Sequence, residues 1–511
     1  MSAASPDNTA SHDNSAPRRS TGPSDNPGSA NRRAASHPDA APQDANSPLR
    51  RSVYALLAVL ALGAVAGRIL AVNSVDRIEI DKQRAKQGKP PGATQRPFLS
   101  ANDRSRWCTI RALVELGTYQ IDEIVAQPNW DTIDMVKHED PRAPGEAHLY
   151  SSKPPLLPTL VAGEYWLIHK LTGHTLATHP YEIGRAMLLV TNGLSLLLYF
   201  VLLARLVERF GATDWGRLFV FAAAAGGTFL TTFANVLNNH LIAAVAVLVA
   251  IDSALAIVSD GLRSPLRFII AGLAAAFAAS CELPALAFAV FVGAWLAWHD
   301  WRKTLMAYLP ATLVVAAAAL GTNYAAHGTV LPAYGKKDWY DYTYVRNGEV
   351  KDSYWRNRAG IDRGEPDRAV YALHTLVGHH GIFSLTPIWL LSIVGLVAAS
   401  LARGSKLREL AWLVSVTSIV CWCFYVFVLD TTDRNYGGMT SGLRWMFWFT
   451  PLWLIAMLPT TDWLSRRWAG RWLGLLLLGF SVLSASYPTW NPWTHPWLTN
   501  LMVHLDWIRF D

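Results

Sequence analysis

The chain has 511 residues, of which 51% are hydrophobic and only 16% are Asp, Glu, Lys or Arg. Soluble domains commonly carry about a quarter of charged residues, so this composition excludes a soluble enzyme. Repeated apolar runs of about 17 to 25 residues predict an all-α, polytopic membrane protein. The net charge of +7 comes from basic residues placed between these runs, so we expect membrane lipids and not nucleic acid as the partner.

The N-terminal part of the chain is polar and then abruptly apolar. Residues 1–50 contain almost no large apolar side chain, which predicts a disordered cytoplasmic tail. Two arginines then precede an apolar run from Val53 to about Val72 that is long enough to span a bilayer. The Ala-Val-Ala triplet at 64–66 resembles a signal-peptidase site, but a fifty-residue segment ahead of it is unusual for a cleaved signal. We therefore favour a retained membrane anchor.

A long polar stretch follows the first span and covers residues 73–182, including the start of the second span. It is called the first long loop below. Trp107, Ile110 and Val114 share one face of a predicted juxtamembrane helix, and Gly117 is a suitable end for that helix. The sequence therefore predicts a folded loop outside the membrane.

The other apolar runs determine the predicted topology. They begin near Pro155, Ile183, Leu218, Leu241, Phe268, Leu283, Leu305, Phe383, Leu410, Trp445 and Trp472. The Pro155 run contains Glu164, His169 and Lys170, and we interpret it as an amphipathic helix lying flat on the membrane. The connections then assigned to the cytoplasm hold 13 Lys or Arg, against 2 in the short outer connections. This bias predicts about eleven spans in the cytoplasmic (inner) membrane, with the N-terminus inside and residues 491–511 as an outer tail.

The same topology collects the unusual polar residues on the outer side. The first long loop lies there, as does a second long loop at 327–382. The polar turns at 235–240, 281–282 and 430–444 join them. Such one-sidedness suits an enzyme that uses a lipid-borne substrate at the outer leaflet.

Two short polar segments in the first long loop contain candidate catalytic or binding residues. Asp103 lies just ahead of the predicted helix, where partial desolvation would let its carboxylate act as a general base; an ordinary helix N-cap is the alternative. Lys153 lies in Tyr150-Ser-Ser-Lys-Pro-Pro155 at the start of the surface helix, which suits an anion site. A lysine that reaches lipid headgroups is the alternative there.

These motifs together resemble the GT-C glycosyltransferase superfamily, in particular bacterial members related to protein mannosyltransferases and to lipid A aminoarabinose transferase. The resemblance covers about residues 52–490. It includes the acid after span one, the Gly117-Thr-Tyr helix end and the Lys-Pro-Pro box. It also includes two later boxes, His380-Gly-Ile-Phe-Ser-Leu-Thr-Pro387 and Tyr436-Gly-Gly-Met-Thr-Ser-Gly-Leu-Arg444.

The resemblance implies a GT-C-like domain at 51–490 and an inverting transferase that takes a sugar from a polyprenyl-phosphate donor. Asp103 would then activate the acceptor, which would be a lipid, glycan or protein, while Lys153 and Arg444 would bind the lipid phosphate. The sequence departs from the family pattern in having Asn102 beside the acid, where a second acid is common. It also has Leu443 where proline is common.

Four further residues are candidates for substrate binding. His240 and Glu282 are polar groups at the ends of apolar spans, where ionisable side chains are functional or structurally paired. His380 and Tyr436 belong to the two late boxes, and a structural role at the start of a span is the alternative for His380.

The first long loop also contains His138, Glu139, Asp140 and His148. Two imidazoles and two carboxylates could hold a divalent ion, but their spacing matches no tight metal motif, which favours a solvated loop face. No metal ligand or cofactor is assigned with certainty.

Two other functions compete with glycosyl transfer. A transporter or flippase of a lipid-linked or small substrate is compatible with a bundle of this size, although we find no internal repeat of the kind that transporters commonly show. An inactive scaffold of the same superfamily would keep the spans but lose the charged motif residues, most of which are present.

Overall fold

The computed structural model describes residues 47–71, 85–86, 88, 97–346, 348–488 and 490–509. The predicted tail at 1–50 therefore lies almost wholly outside the described residues. The chain divides into two compact units, Met1–Ser47 and Pro48–Asp511. The second unit contains the site described below.

Helices dominate the described residues. In chain order they are α1 (Ser47–Ala71), α2 (Ala101–Glu115), α3 (Asp122–Val125), α4 (Leu156–Thr172), α5 (Pro180–Phe210), α6 (Asp214–Gly226), α7 (Phe229–Phe233), α8 (His240–Val258), α9 (Pro265–Cys281), α10 (Ala285–Lys303), α11 (Leu309–His327), α12 (Arg368–Leu376), α13 (Ile382–Leu385), α14 (Trp389–Leu401), α15 (Arg408–Cys423), α16 (Thr450–Leu464), α17 (Trp468–Ser486) and α18 (Trp497–His504). A π-helical turn joins α10 to α11, and a second one extends α15.

Seven helical runs in the described part of the chain are long and apolar enough to cross a membrane. One of them, Ala285–His327, contains two apolar helices, because Asp300 leaves helical geometry there (φ −159°, ψ 82°). Two shorter apolar helices, α9 and α14, join these runs in the described residues, and α16 is largely buried. The structure therefore confirms the all-α, polytopic membrane fold. The Pro155 run forms α4, which is not among the apolar runs.

Close helix packing depends on small residues at two crossings. A Cβ on Gly395 of α14 would collide with the Ala456 carbonyl oxygen of α16, and one on Gly272 of α9 would collide with the Tyr308 carbonyl oxygen. Glycine lets the helix backbones approach at these points, which is how membrane helices gain packing contacts in an apolar solvent.

The segments between helices that are rich in Lys and Arg contact one another at one end of the bundle. Arg50 donates from Nε and Nη2 to the two carboxylate oxygens of Glu208, at 2.6 Å each. Thr213 donates from its backbone N and its Oγ1 to Asp462, at 2.8 and 2.6 Å. Arg209 pairs with Asp260 at 2.7 Å. These contacts join α1 to connections that the charge pattern assigns to the cytoplasm.

The two long loops pack against each other. The Trp355 indole donates to the Ile133 carbonyl at 2.7 Å, and the Lys137 amine donates to the Thr343 carbonyl at 3.1 Å. Arg346 forms an ion pair with Asp131 at 2.9 Å. The two long loops therefore form one packed layer, whereas the prediction that both lie on the outer side stays a prediction.

Each long loop also contains an antiparallel hairpin. The strands are β1 (Met135–Asp140), β2 (Ala143–Ser151), β3 (Thr343–Arg346) and β4 (Glu349–Asp352). Neither hairpin is predicted from the sequence pattern. The β1–β2 hairpin is positioned so that Lys153 follows directly after its second strand.

Candidate active site

Helix α2 is capped by Ser100 and not by Asp103. Ser100 has extended backbone geometry (φ −147°, ψ 167°), and its Oγ accepts a hydrogen bond from the Asp103 backbone N at 3.1 Å. This is the ordinary N-cap arrangement. The alternative interpretation of Asp103 as the N-cap is therefore wrong, and its carboxylate is available for another role.

The Asp103 side chain is buried, with 1% of its surface exposed. The Trp107 indole donates to Oδ1 at 2.9 Å, and the Leu99 backbone N donates to Oδ2 at 3.4 Å. Burial raises the pKa of Asp103 to about 7, against the opposing influence of the Arg106 and Arg104 charges. The carboxyl group is therefore poised to exchange a proton near neutral pH.

Arg106 lies three residues after Asp103, about one turn further along α2. Its Nη1 donates to the Asn102 side-chain oxygen at 2.7 Å, and its Nη2 donates to the Asn239 side-chain oxygen at 2.6 Å. Burial, with a contribution from the nearby Arg444 charge, lowers the pKa of Arg106 to about 10. Arg106 thus connects the first long loop to the start of α8.

Asn239, His240 and Glu282 continue this chain of polar contacts. Asn239 donates from Nδ2 to Glu282 Oε1 at 2.9 Å, and His240 Nδ1 lies 2.5 Å from the same oxygen. The turn before α8 is thereby tied to the turn after α9. His240 and Glu282 are 1% and 6% exposed, so the pair is shielded from solvent.

Lys153 pairs with Asp134, whose Oδ1 lies 2.9 Å from the lysine Nζ. Burial lowers the pKa of Lys153 to about 8, Asp134 opposes this change, and the Arg106 and Arg444 charges add to it. Asp134 is held in place because Ser105 donates from Oγ to its backbone carbonyl at 2.5 Å.

Arg444 completes the site from the late part of the chain. Its Nε donates to the Gly437 carbonyl at 2.9 Å, and its guanidinium carbon lies 5.3 Å from the centre of the Trp493 ring. The charges of Glu282 and Asp134 act on it electrostatically. Gly437 has φ +93°, in the region that favours glycine, and a Cβ there would lie 3.2 Å from Arg444 side-chain atoms.

His380 and Tyr436 form an adjacent cluster that supports the segment carrying Arg444. Both are almost fully buried, and their rings stack with centres 5.5 Å apart. His380 Nε2 lies 3.2 Å from the Thr440 carbonyl, and its Nδ1 lies 2.5 Å from His379 Nδ1. Both ring nitrogens of His380 are thus engaged, so its contacts are with the protein, and a role in substrate binding stays a prediction.

Five predicted residues therefore meet around one centre: Asp103, Lys153, Arg444, His240 and Glu282. Arg106 and Asp134 were not predicted as site residues from the sequence, and Asn239 was expected only as part of the polar turn at 235–240. The spacing of Asn102 and Arg106, one helical turn apart, was the signal for the first of these. The later partners could not be inferred, because they come from distant parts of the chain.

Three basic side chains meet in the site: Lys153, Arg106 and Arg444, called the cationic cluster below. Asp134, Glu282 and Asp362 lie close enough to act on members of this cluster. Three basic side chains held close together and partly shielded from water favour an anionic ligand, such as a phosphate, that offsets their charge.

The residues considered for a metal do not converge. His138 stacks between Tyr150 and Trp339, with ring centres 4.4 and 3.7 Å away, whereas His148 lies 3.5 Å from Asp122. Across the residues that the structure describes, no group of three or more His, Cys, Asp or Glu side chains is arranged to hold a metal ion.

Comparison with known proteins gives one kind of match. No protein-family model and no curated protein sequence matches the chain. Among solved structures, the oligosaccharyltransferase of Archaeoglobus fulgidus tethered to an acceptor peptide is similar over 86% of this chain and 54% of its own, with 13% identity and a TM-score of 0.39.

A structure of the archaeal oligosaccharyltransferase AglB from Archaeoglobus fulgidus, in complex with an inhibitory peptide and a dolichol-phosphate, is similar over 87% of this chain and 55% of its own, with 12% identity and a TM-score of 0.39. The chain thus spans about half of the length of the proteins it matches. A likeness at this identity and TM-score carries no conclusion about the activity of this chain.

Proposed function

We propose that the protein transfers a sugar from a polyprenyl-phosphate donor to a lipid, glycan or protein acceptor at the outer face of the cytoplasmic membrane. The observation that carries this proposal is the cationic cluster lying beside the buried carboxyl of Asp103. An anion-binding group next to a carboxyl that titrates near neutral pH supplies both parts of the reaction.

The cationic cluster would bind the phosphate of the donor. A phosphate at the boundary of the bilayer loses hydration, and fixed positive charges offset that loss. Arg444 approaches from the 3-10 helical turn Arg444–Phe449 ahead of α16. Arg106 approaches from α2, and Lys153 from the segment just after the β1–β2 hairpin. Asp134, which pairs with Lys153, would hold the lysine in place before the phosphate arrives.

An apolar cavity whose lining includes Met446 supports a lipid-linked donor. Its volume is about 350 Å³; most of its lining side chains are apolar, and most belong to α14 and α15. They include Val397 and Ile419 of those helices, together with Ile382 of α13 and Met446 of the turn ahead of α16. Met446 is only two residues from Arg444, so a chain in the cavity could carry its phosphate to the cationic cluster.

Asp103 would act as the general base of an inverting transfer. The acceptor hydroxyl oxygen forms a bond to the anomeric carbon of the sugar from the face opposite the phosphate. The bond from that carbon to the phosphate oxygen breaks, and its electron pair stays on the phosphate. The hydroxyl proton passes to Asp103, and the cationic cluster stabilises the phosphate that leaves.

The function can be tested with purified protein in lipid nanodiscs. We expect that one member of a panel of polyprenyl-phosphate sugars, supplied with acceptor-containing membrane extract, yields free polyprenyl phosphate and a glycosylated acceptor. A transporter would move the lipid without cleaving it. Complete recovery of intact donor with every sugar would contradict the proposal.

Lys153→Ala and Arg444→Ala test the phosphate site. Hydrogen bonds to charged groups contribute about 1.5–3 kcal/mol, so each variant should bind polyprenyl phosphate about tenfold or more weakly in a titration. Lys351→Ala is the matched control, because Lys351 lies in the second long loop and pairs only with Glu349 in the described structure. Unchanged affinity in both test variants would remove these residues from the phosphate site.

A further inference from the structure

Glu282 holds the His240 ring in one orientation. An ionised carboxylate only accepts hydrogen bonds, so the contact of 2.5 Å is a donation from His240 Nδ1 to Glu282 Oε1. The neutral ring then has a lone pair on Nε2. The guanidinium groups of Arg106 and Arg444 are close enough to act on the ring, and they disfavour a further positive charge there.

The Nε2 atom of His240 is buried and has no hydrogen-bond partner among the described residues. Buried polar atoms are almost always paired with protein, water or ligand. The ring lies against Phe233 and Phe447, with centres 5.7 and 5.9 Å away. The Nε2 acceptor of His240 therefore lies beside two aromatic rings and accepts no hydrogen bond from the described residues.

Three other buried polar atoms near Arg444 also lack a partner in the part of the chain that the structure describes: Thr440 Oγ1, Ser441 Oγ and Trp493 Nε1. Ser441 donates its backbone N to the Pro492 carbonyl at 3.1 Å, so the segments carrying these atoms are adjacent. The Phe233 ring connects them to His240, because its centre lies 5.4 Å from that of Trp493.

We propose that His240, Ser441 and Trp493 form the subsite for the sugar of the donor, and that His240 Nε2 accepts a hydrogen bond from a sugar hydroxyl. This inference rests on the proposed function. A phosphate oxygen only accepts hydrogen bonds, so the lone pair on Nε2 would repel it, whereas a hydroxyl can donate. Aromatic rings beside unpaired polar atoms suit a neutral ring that carries several hydroxyl groups, and Arg444 places the phosphate next to it.

The test compares lipids with and without a sugar. Wild type and variants in nanodiscs are titrated with polyprenyl phosphate, polyprenyl-phosphate mannose and polyprenyl-phosphate glucose, and tryptophan fluorescence reports binding. His240→Asn places an amide near the Nδ1 position, which preserves a partner for Glu282, but it removes the Nε2 group. His240→Gln places an amide oxygen near the Nε2 position instead.

We expect wild type to bind one sugar-linked lipid more tightly than polyprenyl phosphate. His240→Asn should reduce this preference about threefold to tenfold, as for the loss of one hydrogen bond, without weakening the binding of polyprenyl phosphate. His240→Gln should restore part of the preference, and Ser441→Ala should reduce it in the same way. His299→Asn is the matched control, since His299 pairs with Glu409 at 2.9 Å at the other end of the bundle.

Three results would contradict the proposed sugar subsite. An unchanged preference in His240→Asn and Ser441→Ala would mean that these atoms face internal water, and it would overturn the sugar subsite while leaving the proposed function intact. Wild type that binds the sugar-linked lipids no better than polyprenyl phosphate would overturn it too. Wild type that binds none of the three lipids would refute the proposed donor and the subsite together.

Discussion

At the scale of single residues, Asp103 is the group whose environment most favours chemistry. Burial favours its neutral form, whereas the Arg106 charge and the hydrogen bonds from Leu99 and Trp107 favour the ionised form. Burial outweighs the opposing influences, because the pKa rises from its ordinary value near 4 to about 7. A small change at the site, such as the arrival of an anion or a hydroxyl, would shift the carboxyl between its two forms.

Asp103→Asn tests the general base. Asparagine keeps an oxygen that can accept from Trp107, and Ser100 still caps the helix, so the variant should fold and bind polyprenyl phosphate normally. The loss of a general base should lower turnover by a factor of about 10² to 10⁴, measured as release of polyprenyl phosphate. Normal turnover in the variant would reject the role of Asp103, and Asp134 would become the next candidate.

The pH dependence of turnover tests the role of Asp103 independently. A base must be ionised, so wild-type turnover should rise with pH up to about 7 and level off above it, and Asp103→Asn should lack this rise. Stability should change in the opposite direction. A raised pKa means that the contribution of Asp103 to stability is fully present below its unfolded pKa near 4 and is lost as the pH rises through 7.

At the scale of elements, α1 is tied to the rest of the bundle by one buried arginine. Arg50 is 3% exposed and contacts both Glu208 and Asp214, and Tyr54 donates to Glu208 at 2.8 Å. Val65, in the triplet that resembles a cleavage site, lies in the middle of α1 and is buried. These contacts support the prediction that α1 is a retained anchor.

Arg50→Ala should therefore loosen α1. The partners are partly exposed, so we expect a loss of roughly 1–3 kcal/mol, between the values for surface and buried ion pairs, seen as a lower melting temperature in detergent. The neighbouring Arg51 is exposed, and Arg51→Ala should have little effect. A protein purified through a C-terminal tag should still carry an N-terminal tag, and loss of that tag would show that α1 is cleaved.

The two hairpins show why some elements escaped the sequence analysis. The β2 strand contains Ala143, Pro144 and Gly145 and is exposed over its first half, so it has no continuous alternation of apolar and polar residues. Its pairing with β1 depends on the loop layer and on the packing of Tyr150 with His138 across the strands. Helix α2, by contrast, has a clear apolar face and a clear end, and it was predicted within a few residues.

At the scale of the whole molecule, the charge bias predicts which end of the bundle faces the cytoplasm. Ser264 lies in one of the basic connections and is exposed, and Val350 in the second long loop is 73% exposed. In intact cells, Val350→Cys should react with a membrane-impermeant thiol reagent, whereas Ser264→Cys should react only after permeabilisation. The parent protein is the control, because three of its four cysteines are buried and the fourth is half-buried. The opposite labelling pattern would invert the topology.

The sequence by itself determined the class of fold, the approximate positions of the spans and the side of the bundle that collects the polar residues. These properties follow from local composition, since about twenty consecutive apolar residues suffice for a span wherever they occur. It also singled out Asp103, Lys153 and Arg444, because unusual charges stand out beside apolar runs and match a family pattern.

Only the tertiary structure decided which of these groups meet. Arg106 reaches Asn239 across 133 residues of sequence, and Lys153 pairs with Asp134. One nitrogen of His240 has no hydrogen-bond partner among the described residues. Such contacts depend on how α2, α8, α9 and the hairpins pack. The partner of a buried charge is the group that the fold brings close to it. The distance between two such groups cannot be predicted from local sequence.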